Sequence, residues 1–166
     1  MARPALAATA LRATARGNQI VATHADRFVW HWYATPERRN ELRAQAVARF
    51  IDDITSRPHA YLAARLPWLP IRDRAAQLVL SSHLLFTWSD ELGVDWHRAA
   101  LAEMLRVTRR EVRVFPLVVQ RTAEPVPFLG QLVDELRTGG CQVTLRDVAY
   151  EFQRGARTML VMSHQR

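Results

Sequence analysis

An α/β protein is what this sequence predicts, with parallel strands joined by crossover helices, a closing antiparallel hairpin, and helices ahead of the sheet. Three observations carry that expectation. Residues 77–119 read as apolar strand, loop, amphipathic helix and second apolar strand. Two helix-period stretches lie upstream of them, and two β-rich runs separated by a turn near Gly155 follow. With 166 residues, 49% hydrophobic and 23% charged, the chain suits one compact domain. Its first part, 1–58, is mainly helical, and 59–166 forms the sheet-bearing part.

The first helix is expected to begin after Pro4. Thr35-Pro36-Glu37 supplies a cap, a proline at the first helical position and an early acid. It opens a second helix that runs to about Thr55, where Arg57-Pro58 stops it. Leu42, Ala46, Val47, Phe50, Ile51 and Ile54 share one stripe and are expected to face a core, leaving Arg38, Arg39, Arg43 and Arg49 wet. Between these helices, 27–33 (RFVWHWY) concentrates four aromatics, read as a packed anchor, with a stacking platform for bases or a ligand as the other reading.

After Pro58 a short strand around Tyr61 is expected, then a proline-punctuated loop with Pro67 and Pro70 bracketing Trp68 and Leu69. Leu78, Val79 and Leu80 form a continuous apolar run, which predicts an interior strand covered on both faces. Asp95 can cap the next helix, in which Ala100, Leu101, Met104 and Leu105 make the apolar stripe and Arg106, Arg109 and Arg110 suit the negative end of the helix dipole. Val112, Val114, Phe115, Leu117, Val118 and Val119 form the following strand, and a right-handed crossover makes the pair parallel. Phe128, Leu129, Leu132, Val133 and Leu136 mark a further helix closed by Gly139-Gly140. A hairpin follows, from Val143 and Leu145 to 157–162.

Composition narrows function. The net charge of +7 comes with 23 basic residues that are all Arg, interleaved with acids and never in a run of five, so the reading is of scattered solvated arginines. The single cysteine, Cys141, excludes an intrachain disulfide and fits a reducing cytoplasm. The six histidines show no metal-binding spacing, so no metal site is expected, and no apolar run is long enough for a membrane span. Residues 1–17, without acids and rich in Ala, Arg and Thr, imitate a transit peptide but read as a surface helix. Only 6 glycines occur, and none forms a phosphate-cradling loop ahead of the βαβ unit.

The succession LPWLPIRDRAAQLVLSSHLLFTWSDEL, helix, REVRVFPLVV, helix, strand, YEFQRG, strand resembles the second half of bacterial class I S-adenosylmethionine-dependent methyltransferases. The resemblance covers about residues 20–166 and is strongest over 66–119. It implies an incomplete Rossmann-like methyltransferase sheet whose fourth strand, following helix and fifth strand are the βαβ unit and whose hairpin supplies the sixth and seventh. It also implies methyl transfer from a sulfonium cofactor, S-adenosylmethionine, to an acceptor that the sequence does not identify. Ser81 and Ser82 fall at the carboxyl end of the fourth-strand match, as cofactor-binding candidates. His83 is the candidate general base, with a structural, loop-bound histidine as the other reading.

The family's Gly-rich first turn and its ribose-holding acid have no counterparts in these residues, and the resemblance places both upstream of Met1. The family's Phe-Asp ahead of the fourth strand is Ala76-Gln77 here. The chain alone is therefore expected to be deficient in cofactor binding. Without its first-strand neighbour, 77–81 would be an apolar edge needing a cover: the Tyr61 strand, the amino-terminal helix or a second copy of the chain. A second function class stays open, a non-catalytic module binding nucleic acid or a protein through Arg38, Arg39, Arg43 and the 27–33 aromatics.

Overall fold

The computed structural model describes residues 3–165. The chain divides into two compact units, the described part of Met1–Ala63 together with Phe152–Arg154, and Ala64–Glu151 together with the described part of Gly155–Arg166.

The first unit holds two helices, α1 (Arg3–Thr23) and α2 (Pro36–Ser56). The start of α2 is the one its local sequence dictates: Thr35 is extended, its hydroxyl accepts the Arg38 N–H at 3.1 Å, and Pro36 occupies a position whose missing N–H costs nothing. Its end falls at Arg57, since Pro58 cannot continue a helix. The aromatic run packs as an anchor. Phe28 stacks on Phe152 at 4.7 Å, while Trp30 and Tyr33 meet the same ring edge-on at 5.6 and 5.2 Å. Arg39 departs from the expectation that it is wet. It is buried, donates to Asn18 Oδ1 at 3.2 Å and holds its guanidinium 4.8 Å from the centre of the Phe152 ring. The expected strand at Tyr61 is absent: Pro58–Ala60 makes a single 3₁₀ turn, and the chain runs on irregularly.

The second unit is a four-stranded mixed sheet with two helices: β1 (Ala76–Ser82), α3 (Val94–Val107), β2 (Thr108–Phe115), α4 (Leu129–Thr138), β3 (Cys141–Asp147) and β4 (Thr158–His164). The strand order is β1-β2-β4-β3. β1 and β2 are parallel, and β4 runs antiparallel to both β2 and β3, so β1, β2 and β3 share one direction. Val79 lies beside Val112, Val112 beside Met162, and Met162 beside Val143, which carries one apolar row across all four strands. Ala100, Leu101, Met104 and Leu105 of α3, with Leu132 and Val133 of α4, pack with Val112, Val114, Leu160 and Met162 into a single core. Each such fully buried side chain contributes roughly 1.5–3 kcal/mol relative to exposure.

Three boundaries differ from expectation, each for a physical reason. Gly93, not Asp95, is the extended residue before α3; Asp95 sits in the first turn and pairs with Arg98. α3 passes directly into β2, so Arg109 and Arg110 are strand residues and Arg106 alone holds the helix's last turn. β2 stops at Phe115 because Pro116 has no N–H for the ladder, leaving Leu117 to Val119 as buried loop. β1, read as interior from its apolar run but as an edge from the missing first-strand neighbour, is an edge strand: no strand pairs with its outer side among the described residues, and Leu78 and Leu80 are 44% and 67% exposed. A continuous apolar run marks two-sided burial only when a neighbour exists to supply it. The hairpin of β3 and β4 stands as expected, with Gly140 at φ +84 closing α4 and Gly155 at φ +83 in the turn.

Candidate functional site

Three parallel strands point their carboxyl ends to one rim of the sheet, and Ser81, Ser82 and His83 lie there, at the end of β1. The His83 N–H donates to the Phe115 carbonyl at 2.8 Å, extending the β1–β2 pairing one step past the strand. His83 itself sits at φ +54, a left-handed conformation uncommon for a residue with a Cβ. That turn swings its imidazole toward the Phe115 ring, edge-on at 5.9 Å, and Phe115 meets Tyr150 at 6.0 Å. Ser82 Oγ lies 2.8 Å from His83 Nδ1. The structure thus brings Ser82 and His83 together with the rings of Phe115 and Tyr150. Ser81 points the other way, into the helix-covered side: it is 8% exposed, and its hydroxyl finds no hydrogen-bond partner.

Behind the rim, residues 83–93 are held by a residue that the sequence reading did not single out. His97 is fully buried, with Nδ1 2.9 Å from the Gly93 carbonyl and Nε2 3.1 Å from the Leu85 carbonyl. Its ring stacks on Phe86 at 5.2 Å and leans on Phe128 at 5.1 Å. Spacing could have found it, since 97 stands three, four and seven residues before Ala100, Leu101 and Met104 on the core stripe of α3. Asp90, in the same loop, is engaged by Arg121, whose Nε donates to Oδ2 at 2.6 Å. No carboxylate among the sequence candidates stands ready to hold ribose hydroxyls.

The sequence resemblance names S-adenosylmethionine as the ligand these residues would have to meet. The Ser82–His83 pair is exposed at the rim and can meet a polar ligand, whereas the Ser81 hydroxyl is buried on the helix-covered side. The binding turn and the acid that the cofactor's two ends require are not supplied, so these residues do not fit the whole cofactor, and no catalytic step follows from them alone. Among the described residues no three His, Cys, Asp or Glu stand together as a metal-binding set, and no helix is long and apolar enough to cross a membrane.

Two other polar clusters are structural. In the second unit, Glu103 accepts the Leu69 N–H at 2.7 Å and the Arg106 guanidinium at 2.7 and 2.8 Å, while Arg106 also donates to the carbonyls of Leu69 and Ile71 at 3.2 and 2.8 Å. This knot ties the proline loop to α3. The Arg106 bonds, helped by the Leu69 amide and opposed by burial, hold the Glu103 carboxyl down at about 2. In the first unit an open groove of about 580 Å³ is lined by Arg49, Phe50, Asp52, Asp53, Arg57 and Tyr61 among others. Three of its polar groups satisfy one another: the Tyr61 hydroxyl donates to Asp53 Oδ2 at 2.6 Å and Arg57 Nε to Oδ1 at 2.7 Å, lowering the Asp53 carboxyl and raising the Tyr61 phenol.

The second unit therefore defines an α/β protein with a mixed four-stranded sheet and a polar-aromatic rim at the carboxyl ends of its parallel strands. No family model matches the chain. It is 23% identical over 135 residues to an uncharacterized protein of Methanocaldococcus jannaschii, an alignment that covers 81% of this chain and 58% of that protein. The chain thus spans little more than half the length of the relative it matches.

Proposed function

We propose that this chain is the carboxyl-terminal half of a class I S-adenosylmethionine-dependent methyltransferase-like sheet, with its ligand-facing rim at Ser82, His83 and Phe115 and with Ser81 buried behind it. One observation carries the reading: a β-α-β unit, helix and hairpin follow one another in the order the sequence resemblance requires, and β1 is an edge at the side where that family's first strand pairs. In open α/β sheets ligands bind outside the carboxyl ends of the strands, and this rim carries the Ser82 hydroxyl and the imidazole named from sequence. The chemistry such a site serves is methyl transfer promoted chiefly by holding donor and acceptor in line. His83, paired through Nδ1 with Ser82, is the group that would take a proton from an acceptor.

The test is a backbone-amide NMR titration of the chain with S-adenosylmethionine, with methionine as control. Weak, non-saturating shifts at 81–83, 115, 117 and 150 at millimolar cofactor are expected. Shifts confined to other residues, or none at all, would refute the rim assignment. Saturable micromolar binding would refute the expectation that the chain lacks part of the cradle.

A further inference from the structure

The end of the sheet opposite the rim gathers arginines around a protruding indole. Trp68 is 79% exposed, while Leu66, Leu69 and Ile71 beside it in the proline loop are half-buried. The loop holds that ring on a fixed base. The Trp68 N–H donates to the Arg65 carbonyl at 3.0 Å, and the next residue, Leu69, is fastened at its N–H by Glu103 and at its carbonyl by Arg106. The same bonds draw the basic residues together. The Arg74 N–H donates to the Arg106 carbonyl at 2.9 Å, Arg109 Nε donates to the Arg74 carbonyl at 3.2 Å, and exposed Arg110 follows at the start of β2.

Charge on this surface is unbalanced. Arg106 takes both acids there, Asp73 and Glu103, and Glu111, next along β2, is taken by Arg113. Among the described residues no carboxylate lies within ion-pair distance of Arg65, Arg72, Arg74, Arg109 or Arg110, all of them exposed. We propose that this surface binds single-stranded nucleic acid, with a base stacked on Trp68 and successive phosphates on these five arginines. A polyanion with charge at regular intervals can meet several separate guanidiniums at once, and guanidinium is the side-chain cation best matched to phosphate. A single strand, unlike a duplex, also offers base faces to an indole, and a ring held by its backbone gives up little freedom on stacking. One exposed indole, with its apolar neighbours half-buried, offers little to insert into a membrane. The surface lies at the amino ends of β1 and β2 and stands apart from the methyl-transfer reading of the rim.

Fluorescence anisotropy of the whole chain with a labelled thymidine oligonucleotide of about a dozen nucleotides tests the proposal. Micromolar binding is expected, with a log-log salt slope of about −3, since each single-strand phosphate contact contributes roughly −0.7. A duplex of the same length should bind at least fivefold more weakly. Trp68→Ala should weaken binding at least fivefold with the salt slope unchanged, and Trp68→Phe should recover part of the loss. The double variant Arg72→Glu with Arg110→Glu should weaken binding at least tenfold and flatten the slope by about one. The double variant Arg49→Glu with Arg146→Glu changes net charge equally at exposed positions elsewhere and should cost less than threefold. Binding absent at 50 μM, indifferent to Trp68→Ala, or lost equally in both double variants overturns the proposal. Vesicles of phosphatidylserine provide the remaining arm: Trp68-dependent binding to them, with none to the oligonucleotide, would assign the surface to a membrane instead and overturn the nucleic-acid reading.

Discussion

Replacing Glu103 by glutamine isolates the charge of the knot between the proline loop and α3. The side chain is 12% exposed and accepts three hydrogen bonds at 2.7–2.8 Å, two of them from Arg106. Its carboxyl, held near 2 against an ordinary 4.5, binds its proton more tightly in the unfolded chain than in the folded one. The stabilisation is therefore fully present above the unfolded value and is lost as pH falls through the folded one. A lowering of that size corresponds to about 3 kcal/mol at neutral pH, and the 35% exposure of Arg106 reduces the expected effect to roughly 1.5–2 kcal/mol. Glutamine keeps an oxygen for the Leu69 amide, so the loss belongs to the ionic contact. Urea unfolding at pH 7 should show Glu103→Gln less stable by that amount. At pH 3 less than half of the difference should remain, because most of the linkage lies between pH 4.5 and 2. A difference unchanged between pH 7 and pH 3 would refute the ionic account and leave shape or packing as its cause.

Leu101→Ala removes a side chain with no exposed surface from the centre of the core between α3 and the sheet. A loss of about 2–5 kcal/mol in urea unfolding is expected, and one below about 1 kcal/mol would mean that the core collapses around the gap. Arg39→Ala removes both the bond to Asn18 and the cation above Phe152. Roughly 1–3 kcal/mol should be lost from the helical unit, followed by near-ultraviolet circular dichroism, and Arg39→Met should recover part of it through packing. An effect within about 0.5 kcal/mol, typical of surface positions, would place Arg39 in solvent.

What the sequence made legible is what is decided locally. The start of α2 was readable from Thr35, Pro36 and Glu37 because a cap is a contract among neighbours, and its end from Pro58 for the same reason. The hairpin was readable from its two β-rich runs and the Gly155 between them, although the connection spans residues 148–157. The edge position of β1 was not readable from its apolar run, which suggested an interior strand, but it was expected from the resemblance, which left 77–81 without its first-strand neighbour. Arg39 misled for a related reason: its place on the helix looked polar until Asn18 and Phe152, 21 residues before it and over a hundred after it, closed around it. At the candidate site, the order Ser81, Ser82, His83 put those residues at a strand end correctly. The left-handed turn at His83 and the bracing of its loop by His97 depend on contacts with Phe115, Leu85 and Phe86 that no spacing rule supplies.

The rim and the free edge have one structural cause. The connections from β1 through α3 to β2, and from β2 through α4 to β3, progress across the sheet in one direction, so both helices cover the same face and all three parallel strands end on the same side. β4 fills the gap between β2 and β3 from the opposite direction and finishes that side of the sheet, leaving growth open at β1 alone among strands without edge charges. A strand added at this edge would lie immediately beside Ser81 and Ser82. A parallel strand, of the kind the methyltransferase resemblance calls for, would bring its own carboxyl end to the rim and could complete a ligand cradle. An antiparallel β1 from a second copy would bring the opposite end and could not. The rim and the edge are therefore coupled: a strand laid parallel to β1 adds its carboxyl end to the rim, and one laid antiparallel does not.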